Sequence, residues 1–172
     1  MKKVVKFGGS SLASAEQFKK VGNIIREDED RRYVVPSAPG KRFDDDIKVT
    51  DMLYDCYHLA EAGEDFSDKL AAIQARYNEI IEGLELDLSL DEEFRIVAEN
   101  FAAKAGSDYA ASRGEYLNGK IMAAYLGFEF IDSAAIIRFD DEGNFDADTT
   151  NELVAKRLEN CANAVIPGFY GA

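Results

Sequence analysis

Cysteine is scarce in this sequence: Cys56 and Cys161 are the only two in 172 residues. Two are too few for a disulfide scaffold and too few for a zinc site. Long apolar runs are missing as well. None approaches the roughly 20 residues that span a bilayer as a helix. The opening Met1-Lys2-Lys3-Val4-Val5 reaches Lys6 after two apolar residues, which is not the pattern of a secretory signal. Cations are few, with Lys+Arg 20 against Asp+Glu 33 and a net charge of -13. A nucleic-acid or anionic-membrane partner calls for the opposite balance. What is present is an ordinary 47% hydrophobic share, enough for a packed core. The expectation is a soluble cytoplasmic domain spanning residues 1–172.

The chain begins with an apolar strand, Val4-Val5-Lys6-Phe7, that runs into Gly8-Gly9-Ser10-Ser11. A helix follows, with Ser14 and Gln17 spaced as a reciprocal capping box and Phe18, Val21, Ile24 and Ile25 at helical intervals. A second strand, Tyr33-Val34-Val35, leads to Ser37-Ala38-Pro39-Gly40. Strand, glycine turn, helix, strand is a βαβ pattern and predicts a parallel sheet. Residues 47–126 read as four helices around a linker at 84–90, the last helix closing at Gly127. Strands are then expected at 128–131, 135–139 and 164–166, with a polar turn at 140–144 and a short helix from Thr149 to about Glu159.

Three glycine turns therefore follow three expected parallel strands: Gly8-Gly9, Pro39-Gly40, and Gly168 with Gly171. Parallel strands end on one edge, where α/β proteins bind ligands. Glycine lets the backbone approach a ligand, and free amides there form an anion nest. The helix after the first turn would add its positive N-terminal end, and Lys6 a full charge. These features together suit a phosphate, while any one turn alone is equally well a tight turn beside a solvated lysine. Neither the Walker pattern nor the dinucleotide pattern is present.

Lys6-Phe7-Gly8-Gly9-Ser10-Ser11 resembles the N-terminal signature of the aspartate kinases, in the amino-acid kinase superfamily. Val34-Val35-Pro36-Ser37-Ala38-Pro39-Gly40-Lys41, Ser112-Arg113-Gly114-Glu115 and Val165-Ile166-Pro167-Gly168-Phe169 are similar to three later segments of that family, in order. Pro36 and the long acidic loop at residues 42–48 depart from the pattern and leave the alignment onto Thr50 open. The resemblance implies a three-layer α/β/α sandwich with a mainly parallel sheet, incomplete over these residues. The later Arg-Gly-Gly-Ser-Asp-type loop and regulatory ACT domains of the family are not in this sequence.

The activity implied is transfer of the ATP γ-phosphoryl to the β-carboxylate of L-aspartate, with Mg²⁺. Lys6 would be catalytic and, with Gly8, Gly9 and Ser10, would bind phosphate. Ser37, Thr50, Glu115 and Phe169 would line the aspartate pocket, with Glu115 taking the ammonium; no metal ligands are assigned. Glu115 alone could be a first-turn carboxylate that favours the helix, and Thr50 could be a helix N-cap. Arg113 could be a surface partner of a nearby acid, and Asp44-Asp45-Asp46 reads as a solvated acid run. Alternatives are a kinase for another carboxylate, or a chain that only binds phosphate or partner chains. An exposed sheet edge and apolar helix faces make self-association an expectation.

Overall fold

The computed structural model describes all of residues 1–172. In chain order the elements are β1 (Lys3–Phe7), α1 (Ala15–Arg26), β2 (Arg31–Pro36), α2 (Val49–Ala62), α3 (Ser67–Gly83), α4 (Asp91–Ala102), α5 (Ser107–Leu126), β3 (Glu129–Phe130), α6 (Ala147–Leu158) and β4 (Ala164–Val165). The four strands form one sheet in the order β1-β2-β4-β3, and every pairing is parallel.

Alternation along the strands separates two cores. Val34 and Val165 face the larger one, with Phe18, Val21 and Ile25 of α1 and Leu117 and Ile121 of α5. Tyr33 and Ala164 face the smaller one, covered by Leu153, Val154 and Leu158 of α6. Helices thus lie on both faces of a parallel sheet, which is the three-layer α/β/α arrangement. Helices α2, α3 and α4 extend the larger core outward, with Leu53, Tyr77, Phe94 and Phe101 buried among them.

Local chemistry sets the boundaries. Gly63 and Gly127 end α2 and α5 in the left-handed conformation, at φ 73° and 69°, where a side chain would be strained. Pro36 closes β2 at its last position, where the loss of a ladder donor is tolerated. The Asp146 carboxylate accepts from the Thr149 amide and starts α6 two residues before the predicted Thr149.

Three expectations need correction. Residues 135–139 do not form a strand. Asp132 accepts from the Ala134 amide and winds Ser133–Ala135 into a 3-10 turn, and only Phe139 makes an isolated bridge, to Phe145. A short side chain bonding its own backbone competes here with the sheet ladder, and Ile136 drops into the smaller core. The capping box at α1 is half-formed: the Ser14 hydroxyl accepts from the Gln17 amide at 3.4 Å, with no return bond from the Gln17 side chain. Finally, α1 does not open at the first glycine turn. A 3-10 turn, Gly9–Leu12, comes between, so the helix dipole is set back from the glycines.

Candidate active site

The strands deliver the three glycine turns to one edge, and the backbone ties them together. The Ser37 amide donates to the Phe7 carbonyl at 3.1 Å, Gly40 to Gly9 at 2.8 Å, and Gly168 to Pro36 at 3.3 Å. Glycine is required at the crossing. A Cβ on Gly9 would lie 2.9 Å from the Ala38 carbonyl oxygen, and one on Gly40 would lie 2.7 Å from the Gly9 carbonyl carbon. Two backbones meet face to face there, beside a cavity.

That cavity, of about 470 Å³, is lined by Gly9, Ser10, Ser37, Ala38, Pro39, Gly40, Lys41, Lys48, Thr50 and Glu115. Five predicted site residues therefore share it: Gly9, Ser10, Ser37, Thr50 and Glu115. Lys6 lies beside it on β1, in register with Val35, exposed and close enough for its charge to be felt at Glu115. Gly8 precedes the 3-10 turn in extended conformation. Phe169 is not brought into the lining; it is 74% exposed, at φ 78°.

Glu115 reaches the cavity because α5 packs unusually close to the second turn. A Cβ on Gly114 would come within 2.7 Å of the Ala38 Cβ, and the Gly114 carbonyl accepts from the buried Tyr77 hydroxyl at 2.8 Å. Glu115 itself is 8% exposed. Its Oε1 accepts from the Ala38 amide at 3.2 Å, and its Oε2 has no partner. Burial raises its pKa above the usual glutamate range, opposed by the Ala38 hydrogen bond and, more weakly, by Lys6. Buried polar groups are ordinarily matched, so the unpartnered Oε2 of Glu115, a residue of the cavity lining, stands out.

Thr50 is not an N-cap. Lys48 holds that position, and α2 starts at Val49 without a side-chain cap. The Thr50 hydroxyl is left for the cavity, 3.8 Å from where a Gly114 Cβ would sit. Arg113 pairs with no acid; its guanidinium lies over the rings of Tyr116 and Tyr109, at 4.3 and 4.7 Å, with Tyr170 at 5.6 Å. The acid run also divides. Asp46 is held by Arg42 and Arg76, while Asp44 and Asp45 stay exposed.

Sequence reasoning passed over two buried polar residues here. Asn118, one turn beyond Glu115, is fully buried, donates to the Ser37 carbonyl at 2.6 Å, and has an unmatched Oδ1. A polar residue three positions from Glu115, between Leu117 and Ile121, was the available signal. Arg76 is the other, among the apolar positions of α3.

Residues 1–172 match the model of the amino acid kinase family along their whole length. The chain belongs to that family. It is 33% identical to aspartokinase 3 of Bacillus subtilis, over 98% of this chain and 40% of the relative, and 30% identical to the chloroplastic aspartokinase 1 of Arabidopsis thaliana, over 98% and 33%. Among solved structures it resembles the aspartate kinase of Clostridium acetobutylicum, with a TM-score of 0.96 and 50% identity over all of this chain and 40% of that one. It also resembles E. coli aspartokinase III in complex with aspartate and ADP, with a TM-score of 0.79 and 26% identity over 100% and 41%. The chain thus spans 33–41% of the length of these aspartokinases.

Proposed function

We propose that these residues form the phosphate- and aspartate-binding part of an aspartate kinase, which moves the ATP γ-phosphoryl to the β-carboxylate of L-aspartate. The observation that carries this reading is the shared cavity: a glycine-turn backbone on one wall, and a buried carboxylate with an unmatched oxygen on the other. Similarity to an aspartokinase solved with aspartate and ADP supports the same pair of ligands.

The attacking carboxylate is ionised at neutral pH, since a free aspartate side chain has a pKa near 3.9, so no general base is needed. Its oxygen forms the new bond to phosphorus, the bond to the bridging β,γ-oxygen breaks, and ADP leaves. Catalysis is then alignment and charge neutralisation. In this reading the amides of Gly8, Gly9 and Ser10 hold phosphate oxygens, and Lys6 offsets the charge on the transferred group. Glu115 holds the substrate ammonium, with Ser37 and Thr50 beside it. Phe169, exposed on its turn, would join the aspartate pocket only after a change of loop position. No three acidic, histidine or cysteine side chains cluster to hold a metal ion, and Glu115 is the one carboxylate on the cavity. Mg²⁺ enters this reading as the counter-ion of the ATP phosphates; kinase sites hold it through substrate phosphates plus one or two carboxylates. The partners in this reading are small molecules.

Amide spectra of the chain titrated with each ligand test it. ATP is expected to shift Gly9, Ser10 and Gly40, and L-aspartate to shift Ala38, Thr50 and Glu115. Shifts with L-glutamate and none with L-aspartate would move the assignment to another carboxylate kinase. A response to ATP alone would leave a phosphate-binding module.

A further inference from the structure

Residues 41–48 run from the second glycine turn to α2 along the rim of the cavity, and one side chain holds both ends of this loop. Arg76 of α3, 6% exposed, donates from Nη2 to the Gly40 carbonyl at 2.9 Å and from Nη1 to the Ile47 carbonyl. The same Nη2 lies 3.4 Å from Asp46 Oδ2. Asp46 also accepts from the Arg42 amide at 2.9 Å and from Arg42 Nε at 2.8 Å, contacts that hold its carboxyl far below the usual range. A buried guanidinium is costly unless its donors are matched, and its planar fork fixes the matched groups in one geometry. The loop is therefore clamped from Gly40 to Ile47.

This clamped loop presents two cations to the cavity, Lys41 and Lys48. The Lys41 ammonium is turned to the Asp44 carbonyl at 3.1 Å. Lys48 takes part in none of the chain's ion pairs. In a chain of net charge -13, an unpaired lysine two residues before Thr50, facing the same space as Glu115, has a clear electrostatic use. A carboxylate and a polyphosphate brought together beside Glu115 crowd negative charge, and each added cation lowers that repulsion. We propose that Lys48, set in place by the Arg76–Asp46 clamp, binds an anionic oxygen of the ligand, carboxylate or phosphoryl. The proposal rests on the kinase reading and adds to it a residue on the loop where this sequence departs from the family pattern.

Calorimetric titration of the 172-residue chain with L-aspartate and, separately, with ADP, each at two salt concentrations, tests it. Lys48→Met is expected to weaken one ligand by roughly tenfold or more and to flatten its salt dependence, while Lys48→Arg retains most of the affinity. A loss with aspartate assigns the carboxylate; a loss with ADP assigns the phosphoryl group. Asp46→Asn, with its fold checked by circular dichroism, is expected to reproduce part of that loss, and unchanged affinity there would overturn the clamp's role. Wild-type binding with Lys48→Met within about twofold for both ligands would overturn the proposal and leave the kinase reading standing. Failure of the wild-type chain to bind either ligand would overturn both.

Discussion

At the scale of single residues, Glu115 is buried with one oxygen unmatched, at a cost to stability. Its pKa is raised mainly by burial, so the folded chain takes up a proton there more readily than the unfolded chain does. The stability this contributes is complete below the ordinary glutamate range and is lost as pH rises through the raised value. At pH 7 the charged side chain is thus a net burden, and Glu115→Gln is expected to raise the melting temperature at pH 7, with the gap narrowing in acid. Aspartate affinity of the wild type is expected to fall as pH drops through the same range, because a protonated Glu115 no longer attracts an ammonium. Asp46 has the opposite sign. Its pKa is lowered chiefly by Arg42, so its contribution is present above the ordinary aspartate value and disappears as pH falls toward the depressed one. Asp46→Asn should lower stability at pH 7 by about 2 kcal/mol, read from the urea midpoint. Glu115 was singled out beforehand only through the resemblance of Ser112-Arg113-Gly114-Glu115 to a family segment. Arg76 and Asn118 were not, because their partners are backbone carbonyls from segments tens of residues away, which no local spacing encodes.

At the scale of elements, α5 does most to build the site. Two glycines in the middle of a helix weaken it by up to roughly 1 kcal/mol each. Here they let the helix touch two turns: Gly114 meets Ala38, and a Cβ on Gly119 would approach Pro167 Cγ to 2.8 Å. Gly114→Ala would gain helix propensity but force α5 away from the second turn. The expected net effect is a destabilisation of about 1–2 kcal/mol with a larger proportional loss of aspartate binding, measured by denaturation and titration on the same sample. Unchanged binding would mean that the α5 approach does not place Glu115. The helices were readable because their apolar faces repeat over several turns, and β1 and β2 because alternation and a following glycine coincide. The stretch Ala135-Ile136-Ile137-Arg138-Phe139 carries the composition of a strand, yet the Asp132 turn just before it sends the chain beneath the sheet. Burial in the second core produces the same apolar pattern as pairing in the sheet.

At the scale of the whole molecule, overall charge and local charge oppose one another. The chain carries -13, whereas the cavity gathers Lys41 and Lys48 with Lys6 nearby. The sheet leaves β1 as an edge strand, with Val4 68% exposed. Such an edge invites pairing, and the net charge resists it at low salt. Self-association of this chain is therefore expected to grow with ionic strength in light scattering, and Val4→Lys to suppress it. A mass that stays monomeric across salt would remove that expectation. The α/β class and the parallel sheet were visible in the order of elements. The clustering of the three turns at one edge followed from parallel pairing, but which turn residues enter the cavity depended on packing that the order does not contain.

The central claim is that Glu115, buried with an unmatched oxygen, receives the ammonium of aspartate. Titration calorimetry of L-aspartate against the wild-type chain and Glu115→Gln tests this most directly. The account predicts measurable binding by the wild type, and a loss of roughly tenfold or more for the folded and more stable glutamine variant. Equal affinity in the two proteins would contradict it.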